Sequence, residues 1–169
     1  MFTERLWLSV EDIWESYLEH PFVKGLGDGS LEVDKFQHWL KQDYVYLVEY
    51  ARLMAIGAEK SPNLETMNLF TNILHGTLFG EMELHRAFSK RFGISEETLL
   101  ETEASYENTA YTSYMLNRAQ RGDAAVVAAC LLTCAWSYNY GGNLLKAIYN
   151  LDNNPYKEGV HTYSDHEFS

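Results

Sequence analysis

The sequence predicts an all-α fold, and two observations support this prediction. Apolar residues recur at spacings of three and four along almost the whole chain, and no segment shows the sustained alternation of a half-buried strand. The chain has 169 residues, of which 46% are hydrophobic, so it can bury a substantial core. We therefore expect residues 1–169 to form a single helical domain.

The first half of the chain is predicted to hold three helices. The first helix carries its apolar stripe from Leu6 to Tyr17 and ends before Pro21, because proline restricts the residue that precedes it. The three glycines within residues 25–29 then indicate a loop. A long helix should cover residues 33–60, and the next should run from Pro62 to near Phe92, where Gly93 ends it.

The second half is predicted to continue in the same way. Ser95 has the position of an N-cap for a short helix, and a longer helix is expected over residues 105–120. After the turn at residues 121–123, one helix should reach residue 151. Near the end, Ser164-Asp165-His166-Glu167 has the form of a capping box and predicts the start of another helix.

Asp43 interrupts the apolar stripe of the long helix. The stripe runs through Val33, Phe36, Leu40, Leu47, Tyr50 and Met54, and Trp39 and Tyr46 flank position 43. A buried carboxylate without a partner costs several kcal/mol or takes up a proton. Asp43 therefore either joins a hydrogen-bond network with the tyrosine hydroxyls inside the fold or binds a ligand.

The helix of residues 123–151 places two thiols and a phenol on one face. Cys130, Cys134 and Tyr138 recur every four residues, so their side chains follow one another along the helix. The two cysteines can be ordinary core residues or part of a reactive pocket. Because cysteines four apart in a helix rarely form a disulfide, we expect free thiols and a reducing compartment.

Composition excludes several classes of partner. A formal charge of −11 argues against nucleic acid and anionic membranes as ligands, since neither would be attracted. The longest apolar run, residues 124–136, is shorter than the roughly 20 residues that span a bilayer, and the amino terminus does not read as a signal peptide. We expect a cytoplasmic protein whose many aromatic side chains suit a flat, polar heterocycle.

Glu81 and His85 lie one helical turn apart and raise the question of a metal site. Carboxylate metal sites in helical bundles usually need several glutamates and paired Glu-x-x-His motifs on facing helices, and this sequence has no such pair. We therefore do not expect a metal site here.

Several motifs together resemble the TenA family of thiaminase II enzymes, which have a haem-oxygenase-like helical fold. The resemblance extends from Phe2 to Phe168. The motifs that carry it are His20-Pro21-Phe22, Gln42-Asp43-Tyr44-x-Tyr46-Leu47, Glu83-x-His85, the region of Tyr111, Cys134-x-Trp136-x-Tyr138, Pro155-Tyr156-Lys157-Glu158 and Thr162-Tyr163-Ser164.

The resemblance implies an aminopyrimidine aminohydrolase that needs no cofactor and forms a homotetramer. Its substrate would be 4-amino-5-aminomethyl-2-methylpyrimidine or thiamin, hydrolysed to hydroxymethylpyrimidine in thiamin salvage. Cys134 would add to the pyrimidine ring, and Asp43 would hold the amino group and the adjacent ring nitrogen. The pocket would be completed by the family's tyrosines, which match Tyr46, Tyr111, Tyr138 and Tyr163.

The resemblance also implies that this chain lacks the last two helices of the family. The family's glutamate that protonates the leaving group lies on one of those helices, so a C-terminally truncated domain without this acid is expected. Two other functions remain open. One is a pyrimidine-binding or regulatory protein without turnover, and the other is a metal-dependent oxidase that uses Glu81 and His85.

Overall fold

The computed structural model describes residues 2–164, without the side chain of Tyr163, and every regular element among them is helical. This confirms the all-α prediction. In chain order the helices are α1 (Phe2–Leu8), α2 (Glu11–Glu19), α3 (Pro21–Asp28), α4 (Val33–Glu59), α5 (Leu64–Gly76), α6 (Met82–Arg91), α7 (Glu96–Leu100), α8 (Tyr106–Arg121), α9 (Ala124–Ile148) and α10 (Lys157–Ser164), with a π-helical segment, Thr77–Glu81, between α5 and α6.

The chain divides into two compact units. Unit 2 is the continuous stretch Val33–Thr133, and unit 1 takes the described residues on either side of it. Helix α9 begins in unit 2 and continues into unit 1 at Cys134. None of the helices in the described part of the chain is both long and apolar enough to cross a membrane.

Helix α4 is the centre of unit 2, where α5, α6 and α8 pack against it. The apolar stripe explains this position, because Leu40, Leu47, Leu53 and Met54 are buried. The helix covers the residues that the sequence predicts to within one position. At Gly57 a Cβ atom would lie 2.4 Å from the Phe70 ring, so this glycine permits the close approach of α5.

The predicted helix after Pro62 is one helical run with an irregularity that the sequence did not indicate. Asn63 caps it by accepting a hydrogen bond from the Thr66 amide at 2.8 Å, and Gly93, with φ of +77°, ends it. Within the run, the Met82 amide donates to the carbonyl of Thr77, five residues earlier. This bond defines a π turn, which widens the helix locally.

The first predicted helix is wrong in one respect, because it is two helices. Val10, with φ of −133°, interrupts the helix between α1 and α2. The break allows the indole rings of Trp7 and Trp14 to stack with centroids 4.7 Å apart. An uninterrupted helix would place residues seven apart about 10 Å from each other along its axis.

The loop predicted over residues 25–29 is also wrong, because α3 includes Gly25 and Gly27. Pro21 begins α3, and the His20 ring accepts a hydrogen bond from the Phe22 amide as its cap. A Cβ atom on Gly27 would lie 2.4 Å from the Tyr149 ring, so this glycine serves packing within unit 1. The helix ends at Gly29, which has φ of +77°.

Ser164 is the first residue of the predicted capping box. It is the last residue of α10, and its hydroxyl donates to the carbonyl of His161 at 3.1 Å. The rest of the predicted capping box, residues 165–167, lies outside the described residues.

Candidate active site

Asp43 is buried and has an ionisable partner from another helix. Its Oδ2 accepts a hydrogen bond from Nε2 of His85 in α6 at 3.1 Å, and the side chains are 8% and 3% exposed. The His85 ring also lies near Trp39, with ring centroids 6.0 Å apart. A histidine is therefore one internal partner of this carboxylate, which the sequence analysis did not identify.

Glu81 completes a cluster of three ionisable side chains, which we call the Asp43 cluster: Asp43, Glu81 and His85. Burial raises the pKa of Glu81 to about 7, and the charge of Asp43 adds to this effect while His85 opposes it. Burial alone would lower the pKa of His85, but the hydrogen bond and charge of Asp43 and the charge of Glu81 together raise it. The proton content of the cluster therefore changes near neutral pH.

Three tyrosines of unit 2 form a stack, which consists of Tyr46 and Tyr50 of α4 and Tyr111 of α8. The ring centroids of Tyr46 and Tyr50 lie 5.3 Å apart, and those of Tyr46 and Tyr111 lie 5.9 Å apart, with interplanar angles below 30° in both pairs. Tyr111 is 44% exposed, whereas Tyr46 is buried. The stack thus offers a flat aromatic surface that reaches from the interior toward solvent.

Gln42 fixes the beginning of α8 against α4 and thereby positions Tyr111. Its Oε1 accepts from the Ser105 amide at 2.8 Å and from Nδ2 of Asn108 at 3.2 Å, and its Nε2 donates to the carbonyl of Glu103 at 3.0 Å. Tyr111 follows Asn108 by one helical turn. The sequence places Gln42 next to Asp43 but does not reveal this role.

The two thiols differ in their surroundings. Cys130 is partly buried, its Sγ donates to the carbonyl of Met115 at 3.9 Å, and burial raises the pKa of its thiol. The carbonyl of Cys130 accepts a hydrogen bond from the Thr133 hydroxyl. Because that hydroxyl has a single proton, we assign the 3.0 Å contact between Thr133 and Tyr111 as a hydrogen bond that the Tyr111 phenol donates. Cys130 therefore has the contacts of a structural residue.

Cys134 belongs to unit 1 and follows Thr133 directly in α9. Its thiol forms no disulfide with Cys130, and its side chain is partly buried, as is that of Tyr138 one turn later. The Ser137 hydroxyl donates to the carbonyl of Cys134 at 2.9 Å. Farther along, Trp136 and Tyr140 contact the Trp7 ring, with centroids 5.6 and 4.9 Å from it.

The residues predicted for the site thus fall into three groups. Unit 2 brings together Asp43, Tyr46 and Tyr111, and unit 1 holds Cys134 and Tyr138 one turn apart on α9. The side chain of Tyr163 lies outside the described residues. Within the described part of the chain, no group of three or more histidine, cysteine or acidic side chains is arranged to hold a metal ion.

Sequence reasoning missed the pairing of His85 with Asp43. The available signal was the spacing of Glu81 and His85, which we weighed only as a metal motif. An unsatisfied carboxylate on one predicted stripe and an unassigned histidine on another are a pair that could have been proposed from charge complementarity.

Comparisons with known proteins identify the family of this chain. Residues 7–169 match the model of the TENA/THI-4/PQQC family. The chain is 49% identical over 168 residues to the aminopyrimidine aminohydrolase of Halalkalibacterium halodurans, a match that covers 99% of this chain and 75% of that enzyme. It is 35% identical over 167 residues to the aminopyrimidine aminohydrolase of Helicobacter pylori, covering 98% of this chain and 77% of that enzyme.

A solved structure shows the same fold. The TenA homologue from P. horikoshii superposes with a TM-score of 0.93 at 30% identity, covering 99% of this chain and 79% of that one. These matches confirm the resemblance that the sequence motifs indicate. The chain belongs to the TENA/THI-4/PQQC family.

Proposed function

We propose that this protein is an aminopyrimidine aminohydrolase of thiamin salvage, which converts 4-amino-5-aminomethyl-2-methylpyrimidine or thiamin to hydroxymethylpyrimidine. The observation that carries the proposal is the 49% identity to an enzyme of that name over 99% of this chain. The buried, ion-paired carboxylate of Asp43 supports it, because such a group is costly unless it has a task.

Asp43 recognises the amino group of the pyrimidine. An ionised carboxylate accepts hydrogen bonds only, and the exocyclic amino group of an aminopyrimidine supplies donors that match it. Burial strengthens this hydrogen bond, since little water competes for either partner. A pyrimidine that lacks the amino group would leave the carboxylate without that partner, which gives the site its selectivity.

The stacked tyrosines bind the face of the ring. A pyrimidine is flat and aromatic, and the planes of Tyr46 and Tyr111 lie nearly parallel. We assign Tyr138 and Tyr163 to the same pocket from the family resemblance. Gln42 supports this surface indirectly, since it holds the helix that carries Tyr111.

Cys134 acts as the nucleophile. Addition of its thiolate forms a carbon–sulfur bond to the ring, which loses its aromaticity and expels the group on the exocyclic methylene carbon, as ammonia from the protonated amine or as the neutral thiazole from thiamin. Water then adds to that carbon, and departure of the thiol restores the aromatic ring. The family resemblance assigns this role to Cys134 and not to Cys130, whose Sγ donates to a backbone carbonyl.

We infer further that the enzyme works in the cytoplasm as a homotetramer. Its free cysteines suit a reducing compartment. The family resemblance supports the tetramer, as do apolar side chains exposed on α5: Leu64, Leu69 and Ile73. Light scattering at several protein concentrations measures the assembly directly, and a monomer throughout would contradict it.

The proposed function is tested by replacing each thiol in turn. Cys134→Ser should lower kcat for aminomethylpyrimidine by at least about a hundredfold while leaving the affinity for hydroxymethylpyrimidine nearly unchanged, since the ring is held by other residues. Cys130→Ser is the matched control one turn away, and it should keep most of the activity. Steady-state rates and calorimetric titrations measure both quantities, and substantial turnover by Cys134→Ser would remove this residue from the nucleophile role.

A further inference from the structure

The carboxylate of Asp43 is oriented by a residue outside its own helix. The Nε2 of His85 donates to Oδ2 of Asp43, and both side chains are buried. The rotation of the carboxylate about its Cβ–Cγ bond is therefore set by the imidazole, because turning it would break a charge-assisted hydrogen bond in a dry environment. Because the carboxylate is rigid, fixing Oδ2 also fixes the position of Oδ1 of Asp43.

Glu81 stands next to this pair for a reason of helix geometry. It is the last residue of the π-helical segment and lies one turn before His85. Segments of π-helix occur frequently at functional sites, because the wider turn changes the direction in which later side chains point. The π turn at Thr77–Glu81 therefore affects the directions in which the side chains of Glu81 and His85 point relative to α4.

The groups that face Glu81 are few and well defined. Asp43 faces it from α4, and His85 faces it from α6. The neighbouring elements α5 and α7 carry Glu65, His75, Glu96 and Glu97, all of which are exposed to solvent. The electrostatic environment of Glu81 is thus dominated by the other two members of the Asp43 cluster.

Two ionised carboxylates would compete for a single imidazole. When Glu81 carries a charge, it favours the protonated imidazole, but it also draws that imidazolium toward itself and repels the Asp43 carboxylate, and both forces act against the geometry that orients Asp43. When Glu81 is neutral, the imidazole serves Asp43 alone. Because burial holds the pKa of Glu81 at about 7, this change takes place near neutral pH.

We propose that His85 and Glu81 are positioning residues of the substrate site, in which His85 orients Asp43 for the aminopyrimidine and a neutral Glu81 leaves His85 free to do so. The proposal rests on the function proposed above and adds residues that act through Asp43. It requires that His85 affect substrate affinity more than turnover, and that the ionisation of Glu81 set the alkaline limit of activity.

Four variants test this proposal. His85→Leu removes the donor, His85→Gln keeps an amide nitrogen near the Nε2 position without a charge change, and Glu81→Gln keeps Glu81 permanently neutral. Glu83→Gln is the control, because Glu83 is an exposed acid on the same helix, paired with Arg86. Each variant is assayed for kcat and KM with aminomethylpyrimidine between about pH 6 and 9, and its melting temperature is measured to confirm that it folds.

The expected results separate positioning from a merely structural role. His85→Leu should raise KM by at least about tenfold with less than about a threefold change in kcat, and His85→Gln should restore most of the affinity. In Glu81→Gln the fall of kcat/KM above about pH 7 should disappear, while Glu83→Gln should keep it.

Four outcomes would each overturn the proposal. For His85 they are an unchanged KM in His85→Leu and no rescue by His85→Gln. For Glu81 they are an unaltered pH profile in Glu81→Gln and loss of activity in that variant at every pH.

A measurement without substrate distinguishes failure of this proposal from failure of the proposed function. The imidazole ¹⁵N signals of the six histidines can be followed by NMR, with His85 assigned from the spectrum of His85→Gln. Because the charge of Glu81 raises the pKa of His85, the His85 midpoint should fall in Glu81→Gln and stay in place in Glu83→Gln. An unchanged midpoint in Glu81→Gln overturns the positioning proposal. If the wild type hydrolyses no aminopyrimidine, the proposed function fails, and the midpoint still decides whether the cluster is coupled.

Discussion

The two units of this protein each bury a polar cluster, and the two clusters differ in what they bind. In unit 1 the cluster is Asn154 and Tyr156, which we call the Asn154 cluster. Nδ2 of the Asn154 side chain donates to the carbonyls of Leu26 and Gly27 at 2.7 and 2.9 Å, and Oδ1 of the same side chain accepts from the backbone amide of Tyr156 at 2.7 Å. The Tyr156 hydroxyl donates to the carbonyl of Leu31 at 2.6 Å.

The Asp43 cluster of unit 2 is equally buried but chemically different. Asn154 and Asp43 have the same exposure, 8%, so burial does not distinguish them. The partners do, because the side chains of the Asn154 cluster bind backbone groups, whereas Asp43 is bound by an ionisable side chain. Neutral hydrogen bonds to the backbone hold chain segments together at any pH. The net charge of a cluster of ionisable groups, by contrast, changes when a proton or a ligand binds.

Between these two clusters, the largest expected effect comes from removing the charge of Asp43. Asp43→Asn should reduce kcat/KM for aminomethylpyrimidine by roughly ten- to a hundredfold, since a hydrogen bond to a charged group contributes about 1.5–3 kcal/mol, which a mismatched neutral group does not supply. The fold should survive at about pH 8, because an asparagine oxygen can still accept from His85. Kinetics and thermal melting of the same sample measure both properties.

The comparison would fail if this variant behaved like one in the Asn154 cluster. A large fall in melting temperature with unchanged substrate affinity would mean that Asp43 serves the fold and not the substrate. Glu49→Gln provides the control, because it removes a charge elsewhere on α4, from an acid paired with Arg52. It should change neither quantity appreciably.

Much of unit 2 could be predicted from the sequence because its signals are local. The stripe of α4, the Ser95 cap, the beginning of α8 near residue 105 and the end at Gly93 depend on residues a few positions apart, and the predicted helix limits agree closely with those observed. The oddity of Asp43 was also visible as one polar residue in an apolar stripe. Its identity as a buried residue is confirmed.

The features that escaped prediction depend on contacts between distant residues. The glycines of α3 read as a loop because glycine is usually a turn residue, but Gly27 is required by the Tyr149 ring more than a hundred residues later. The break at Val10 reflects the stacking of two tryptophans, and the partner of Asp43 lies on another helix. Local patterns cannot specify which side chains meet in the folded protein.

The second largest effect is expected on stability, in the Asn154 cluster. Asn154→Ala removes hydrogen bonds to two carbonyls and one amide, so the free energy of unfolding should fall by about 2–3 kcal/mol. The affinity for hydroxymethylpyrimidine should be unchanged at a temperature where the variant is folded. Urea unfolding and calorimetric titration test this pair of outcomes, and a selective loss of affinity would erase the contrast between the clusters.

The pH dependence of stability should also differ between the clusters. The folded-state pKa of Glu81 is raised from 4.5 to about 7, so between these values the folded protein binds more protons than the unfolded one, and stability falls as pH rises. The raised pKa of His85 acts in the same direction above its ordinary value. Glu81→Gln should therefore gain on the order of 1–2 kcal/mol relative to wild type at about pH 8 and little at about pH 4. Urea unfolding at both pH values measures the difference, and an equal change at both would contradict it.

The smallest effect is predicted for Tyr156→Phe. This variant is informative because its loss of unfolding free energy should not depend on pH. The Tyr156 hydroxyl is buried and donates to one backbone carbonyl, so its loss should cost about 1 kcal/mol of unfolding free energy. Burial raises the pKa of Tyr156, so the phenol stays neutral across the ordinary working range. The cost should be the same at about pH 5 and pH 8, in contrast to Glu81→Gln. If instead the cost of Tyr156→Phe changed between these pH values, the Asn154 cluster would be coupled to an ionisable group, and the separation between a structural cluster and a chemical one would not hold.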